Sequence, residues 1–256
     1  MIDVPELLGT LGFRADRPAI AAFLAHATKS RLSPAETCEQ LVALERRERD
    51  ARNLARRTQS ATLGPFKPLD QFDWDFPRQI DREMLDLLLE LDFVAKGHNV
   101  LLRGPSGVGK STLAQNIALR AIERGHTVGF STLAAMLADL LRQESLPATE
   151  RRLKRYAAPD VLVLDEIGYV PQDNRSADLL YNLISRRHEQ KATIITTNLP
   201  FKQWNQVFPS AACVAALVDR FAQHCYVIDI DGDSWRQKSA GAPPAGPKAG
   251  KRKTKR

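Results

Sequence analysis

His98-Asn-Val-Leu-Leu-Arg-Gly104-Pro-Ser-Gly-Val-Gly-Lys110-Ser111-Thr112-Leu-Ala-Gln-Asn116 is the stretch that decides how this chain is read. A short apolar run enters a glycine-rich turn, and an amphipathic helical pattern leaves it and runs to a stop at Gly125. The turn fits GxxxxGK[ST], in the strand–loop–helix context that gives the pattern its meaning. Glycines let successive amide hydrogens converge on phosphate oxygens, and the helix N-terminus adds partial positive charge. Gly104, Pro105, Ser106, Gly107, Val108, Gly109, Lys110, Ser111 and Thr112 are therefore the candidate nucleotide-binding residues, with ATP and Mg²⁺ as the expected ligands. Lys110 is expected to reach the β and γ phosphates, and Ser111 to place its hydroxyl on the metal.

Working outward, apolar runs alternate with helical patterns: a helix to Ala95, HNVLLRG, a helix from Lys110, TVGFS, helical stretches to Tyr156, VLVLDE, a helix near Ser176 to Glu189, ATIITTN, a helix near Cys213 to His224, and CYVIDID. Five β-rich runs separated by helices predict an α/β fold with a parallel sheet covered on both faces, because parallel strands need crossover connections. VLVLDE ends in two acids. Asp165, at the carboxyl end of a buried strand, is suited to hold the metal's water ligands, and Glu166 to orient a water for attack on the γ-phosphate. Asn198 closes ATIITTN at the same end of the sheet, where it serves either the γ-phosphate or the turn before Leu-Pro. Arg220, in ALVDRF, is either an arginine finger or a solvated cation.

Composition narrows the class. The chain has 256 residues, 43% apolar and 26% charged, with no apolar run long enough to cross a bilayer, and its acidic first residues do not form a secretory signal. Cys38, Cys213 and Cys225 are too dispersed for a disulfide or zinc framework, so cytoplasm is the expected compartment. The net charge of +7 is concentrated in residues 239–256, whose six cations, taken from 37, leave 31 basic against 30 acidic residues. That basic, apolar-poor tail is expected to be disordered. A DNA-binding function thus needs a local cluster. Residues 1–64 read as a helical module: Ser33-Pro34-Ala35-Glu36 is a capping box opening a long helix that carries Arg46, Arg47, Arg49, Arg52, Arg56 and Arg57 in its second half. These arginines face either phosphates or water, partly neutralised by Glu45, Glu48 and Asp50. LGPFKPLDQFDWDFP (63–77) reads as a linker that docks on the domain after it, which sets a boundary near residue 64 and a second domain over 65–238.

With GPSGVGKS, VLVLDEIGYV, LLYNLISRRHE, TTNLPFKQWNQVF and LVDRFAQHCYVIDIDGDSWR in this order, the chain resembles the IstB-type ATP-binding helpers of insertion-sequence transposition, AAA+ relatives of DnaC-type helicase loaders. The resemblance covers about residues 30–238 and implies an AAA+ P-loop three-layer sandwich, with a five-stranded parallel sheet ordered 5-1-4-3-2. It implies that Asn198 senses the γ-phosphate, that Arg220 completes the ATP site of a neighbouring copy, and that Arg186 and Arg187 are secondary candidates for contacts between copies. Arg236 lies in a segment similar to a family motif without an assigned role. The partners implied are double-stranded DNA, a cognate transposase and further copies in a ring or filament, on the nucleoid and not at a membrane. Two other functions fit the ATP-site motifs: a DnaC-like replicative helicase loader, and a small-molecule kinase, disfavoured by Glu166 beside Asp165.

Overall fold

The computed structural model describes residues 3–168, 174–208 and 211–235. Tyr169, Arg236 and the basic tail lie outside these residues. Three helices come first, α1 (Val4–Thr10), α2 (Arg17–Lys29) and α3 (Pro34–Ala61). The capping box that opens α3 is formed: the Glu36 amide donates to Ser33 Oγ at 3.3 Å, and the Ser33 amide donates to Glu36 Oε2 at 2.8 Å. These bonds hold the Glu36 carboxyl below its ordinary pKa. The last turn of α3 is fastened to the α/β part of the chain. Arg57 Nε donates to the Ile122 carbonyl at 3.2 Å, Thr62 Oγ1 to that of Phe130 at 3.2 Å, and Ala61 and Leu63 enter the main core.

The remaining elements are β1 (Gln79–Ile80), α4 (Arg82–Leu89), α5 (Asp92–Ala95), β2 (Asn99–Arg103), α6 (Lys110–Glu123), β3 (Val128–Thr132), α7 (Leu133–Leu141), α8 (Leu146–Ala157), β4 (Val161–Ile167), α9 (Asn174–Arg187), β5 (Ala192–Thr197), α10 (Trp204–Val207), α11 (Ala211–Ala222) and β6 (Cys225–Asp231). Strands β6, β2, β5, β4 and β3 lie side by side, all parallel, in the order implied for the five expected strands. The sheet nevertheless has six strands and is mixed, which corrects the five-stranded parallel sheet. β1 pairs antiparallel with the outer strand β6, Gln79 opposite Asp231 and Ile80 opposite Ile230. Two residues are too short a run for alternation to reveal in sequence, and here they cover an otherwise open edge.

Alternate strand residues feed two cores, because successive side chains point to opposite faces. Val100, Leu102, Val163 and Ile194 pack with α6, α4 and α5 on one face, while Leu101, Leu162, Leu164 and Ile195 pack with α7, α9 and α11 on the other. Each such fully buried chain contributes about 1.5–3 kcal/mol relative to exposure, so the central strands are the most firmly held part of the molecule. The helix expected to run unbroken to Ala95 is divided at Leu91, whose left-handed φ of 69° turns the chain so that Leu91, Phe93 and Val94 all bury. The linker docks as expected: Phe66, Leu69, Phe72 and Trp74 pack on the first core, and Gln115 and Asn116 of α6 donate to the carbonyls of Leu63 and Lys67.

Candidate nucleotide site

β2 ends at Arg103 and α6 begins at Lys110, so the six residues between them must reverse direction within one tight loop. Gly107 and Gly109 take left-handed φ values of 84° and 98°, which only glycine adopts without strain. A Cβ on Gly104 would collide with the Ile230 carbonyl, and one on Gly109 would come within 2.7 Å of the Phe72 ring. No side chain caps α6 among the described residues, leaving its first amides with the helix's partial positive charge for an anion. Lys110 is buried, and its ammonium donates to the carbonyls of Gly104 and Pro105 at 2.8 and 2.6 Å. The loop therefore fits a triphosphate in its backbone conformation, its amides and its cation.

β4 delivers the carboxylates. Asp165 is buried, and its Oδ1 accepts hydrogen bonds from Ser111 at 2.8 Å and from Thr196 at 2.5 Å. In a regular strand Glu166 would then point to the opposite face of the sheet. It does not, because β4 carries one extra residue here: Leu164 pairs with Ile195, and the next pair is Ile167 with Thr197. Glu166 takes a left-handed φ of 64°, and its amide donates to Thr196 Oγ1 at 2.9 Å. Such bulges re-aim side chains. Glu166 accordingly lines a cavity of about 300 Å³ together with Gly107 to Thr112 and Thr196.

The other expected site residues are dispersed. Asn198 is exposed at the end of β5 and lines an adjoining cleft with Pro105, Ser106 and Arg103, which pairs with Asp229 through bonds of 2.5 and 2.6 Å. That pairing raises the Arg103 pKa. Arg220 does not line the 300 Å³ cavity; its guanidinium lies 5.0 Å from the Tyr181 ring centroid. Arg186 makes two 2.7 Å bonds to Glu150, which hold that carboxyl below its usual range. Arg187 is 1% exposed and donates to the carbonyls of Ala157, Pro159, Asp160 and Ala192 and to Thr193 Oγ1, so it knits α9 to the sheet and is not available for a contact between copies. Burial pushes its pKa down to about 9, against the pull of Asp160.

Of the α3 arginines, Arg46, Arg47, Arg49, Arg52 and Arg56 are exposed and Arg57 is half-buried. Arg49 pairs with Glu45 and donates to the Gly12 carbonyl at 3.0 Å, while Arg57 is tied to α6. Glu45 neutralises Arg49 and is itself buried, at 7% exposed, and its carboxylate accepts the amides of Arg14 and Ala15 at 2.8–2.9 Å.

Comparison with known proteins bears on this geometry. The family model described as IstB-like ATP binding protein matches residues 7–242. The chain belongs to this IstB-like ATP-binding family. It is 35% identical over 219 residues, covering 86% of this chain and 83% of the other, to a Pseudomonas aeruginosa protein named for ATP binding in insertion sequence IS21. It is 36% identical over 203 residues, covering 78% and 81%, to the corresponding IS232 protein of Bacillus thuringiensis subsp. berliner. Among solved structures, DnaI superposes with a TM-score of 0.54 at 22% identity, covering 65% of this chain and 89% of that one. The initiator DnaA bound to AMPPCP and single-stranded DNA gives 0.55 at 20%, covering 67% and 51%. These structural likenesses show a shared α/β P-loop fold.

Sequence reasoning missed Thr196, which touches both acidic residues, as well as Phe72 and Trp235, which line the cavity. A hydroxyl two residues before Asn198, on the strand beside Asp165, was the available signal for Thr196; the two aromatics gave none beyond their place in a docking linker and after the last strand.

Proposed function

We propose that this IstB-like family member is a Mg²⁺-dependent ATPase that regulates transposition: it assembles with ATP on duplex target DNA, recruits or activates a transposase, and disassembles on hydrolysis. The observation that carries hydrolysis, beyond nucleotide binding, is the bulge that turns Glu166 into the cavity holding Lys110 and Ser111. On this reading the loop amides and Lys110 bind the phosphates, and Glu166 orients and polarises the attacking water. Ser111 and Asp165 are the residues that would hold Mg²⁺, whose charge would neutralise the triphosphate. Asn198, in the adjoining cleft, is assigned to the γ-phosphate. Arg220, away from the cavity of its own chain, is assigned to the site of a neighbouring copy.

Residues 1–64 are proposed as the DNA-facing module, residues 65–238 as the ATPase domain and 239–256 as a basic tail. Support comes from Arg46, Arg47, Arg52 and Arg56, which are exposed and have no acidic partner within ion-pair distance among the described residues. Repeated around an assembly, they would add up to strong, sequence-tolerant and salt-sensitive affinity for phosphates. No helix among the described residues is long and apolar enough to cross a membrane, and a cytoplasmic, nucleoid-associated location accords with the proposal.

The test is sedimentation and electron microscopy of the full chain with duplex DNA, Mg²⁺ and a slowly hydrolysed ATP analogue. Nucleotide-dependent oligomers on the DNA are expected, and a persistent monomer overturns the proposal. Alanine at Arg46, Arg47, Arg52 and Arg56 should reduce the salt dependence of binding by about 0.9 in slope for each phosphate left unneutralised. A second reading, a DnaC-like helicase loader, is favoured by exposed apolar residues at α1, Leu7 within the helix at 50% and Leu11 just past its end at 79% exposed. Helicase capture by the wild type that is lost in Leu7→Ser/Leu11→Ser, with no effect on DNA assembly, would favour that reading.

A further inference from the structure

Arg186, Arg187 and Arg220 are the arginines implied for contacts between copies, and the fold holds them in different ways. Arg186 commits both terminal nitrogens to Glu150, and the buried Arg187 spends its donors on backbone carbonyls and Thr193. Arg220 is held by a ring instead. It stands in the last turn of α11, half-buried, with its guanidinium carbon 5.0 Å from the ring centroid of Tyr181 on α9. The two helices pack against each other, and the Tyr181 ring rests on the same core that takes Leu180 and Ile184 of α9 and Leu217 and Phe221 of α11. Acids were at hand: Asp178 lies one turn before Tyr181, and Asp219 adjoins Arg220. Even so, among the described residues Arg220 forms no ion pair and its side chain donates no hydrogen bond.

We infer that Tyr181 is the positioning residue for Arg220: its ring holds the guanidinium at the face of α9 and α11 with the N–H donors open, poised for the triphosphate of a neighbouring copy. A stacked guanidinium is attracted through its flat face, while its donors lie in the plane and remain available to an anion. A carboxylate would have done the opposite. It would occupy the donors and cancel the charge, as Glu150 does for Arg186, and an incoming phosphate would have to displace it. An unrestrained arginine would lose much rotamer freedom on docking, and holding it beforehand removes part of that cost. Tyr181 touches no nucleotide on this account; it acts through the arginine it carries.

This inference rests on the reading of Arg220 as the arginine given to a neighbour, and a double-mutant cycle on ATP turnover by the full chain, with Mg²⁺ and duplex DNA, separates the two. Tyr181→Leu keeps an apolar contact with the core and removes the ring. Its kcat should fall about five- to thirtyfold, the rate equivalent of one cation–π contact, with KM unchanged. Tyr181→Phe, which keeps the ring, should recover most of the loss. Tyr181→Leu/Arg220→Ala should be no slower than Arg220→Ala alone, because the ring has nothing left to position. Copies carrying Lys110→Ala, whose Tyr181 and Arg220 are intact, should restore turnover to Tyr181→Leu when mixed with it. Normal turnover by Tyr181→Leu beside a slow Arg220→Ala, or losses that multiply in the double variant, overturn the positioning role alone. Normal turnover by Arg220→Ala overturns the arginine reading and the positioning with it. Should Tyr181→Leu melt lower than the wild type, Tyr181→Met, which fills more of the ring's length, takes its place in the same cycle with the same criteria.

Discussion

Thr196 donates its hydroxyl proton to Oδ1 of Asp165 at 2.5 Å, reaching across from the strand that lies between the phosphate-loop strand and the aspartate's own. The same hydroxyl oxygen accepts the Glu166 amide, so one side chain orients the proposed metal-holding carboxylate and supports the bulge beneath the proposed water-orienting one. Thr196→Val keeps the shape and strand preference and removes only the hydroxyl. ATP turnover is expected to fall on the order of 10²-fold through misplacement of Glu166, with nucleotide affinity little changed and Thr196→Ser near wild type. Phosphate-release kinetics alongside nucleotide titration check this, and equal loss of binding and turnover would contradict it.

Glu166→Gln conserves size and removes the base. Binding of ATP and assembly on DNA should persist, while steady-state turnover drops by about 10²–10⁴-fold. A normal rate would remove Glu166 from the water-orienting role.

Arg220→Ala alone should turn over slowly, since an arginine supplied to such a transition state is worth about 10³–10⁵ in rate. Mixed with Lys110→Ala, which keeps its arginine but lacks a working loop, it should regain part of the activity. If no mixing ratio restores turnover, Arg220 acts within its own chain or through its stack on Tyr181.

Arg187→Leu removes a buried guanidinium and strands the carbonyls it serves. The expected cost is about 3 kcal/mol or more, seen as a melting point lower by about 6–12 °C. Disrupted assembly at an unchanged melting point would instead make Arg187 an interface residue.

The Glu45 carboxylate, which accepts the Arg14 and Ala15 amides, is a titratable link between α3 and the segment that joins α1 to α2. Burial works to raise its pKa, but the hydrogen bonds from Arg49, Ala15 and Arg14 outweigh it and hold the carboxyl below its ordinary 4.5. A folded-state value below the unfolded one contributes stability that is full above the ordinary value and is lost as pH falls through the lowered one. Protection factors across residues 3–33, which are exchange rates corrected for the intrinsic pH dependence of amide exchange, should therefore fall below about pH 4.5 in the wild type. Glu45→Gln should be less protected at neutral pH and show a flatter acid profile of protection; an unchanged profile would sink the assignment.

Much of this molecule is legible in its residue order. The glycine spacing and the helix after it, the Ser33–Glu36 box, the alternation of strands with helices and the docking of the aromatic linker are local patterns, each governed by backbone sterics or by nearby residues. The misses share a different character. Glu45 and Arg187 looked like surface charges because burial of an ionised group depends on partners far along the chain, here the Arg14 and Ala15 amides and the Ala157 to Ala192 carbonyls. β1 escaped notice because two residues carry no period, and their pairing depends on where β6 ends.

Residue order alone was enough to specify a phosphate-binding turn on an α/β scaffold and the family to which it belongs, since amide convergence and strand burial are short-range consequences of glycine and of apolar periodicity. Tertiary contact had to decide which way Glu166 faces, whether a given arginine meets solvent or a carbonyl, and that Trp235 lies against Gly107. Each of these depends on one extra residue in a strand or on a meeting of distant segments, and neither leaves a periodic trace in the chain that encodes it.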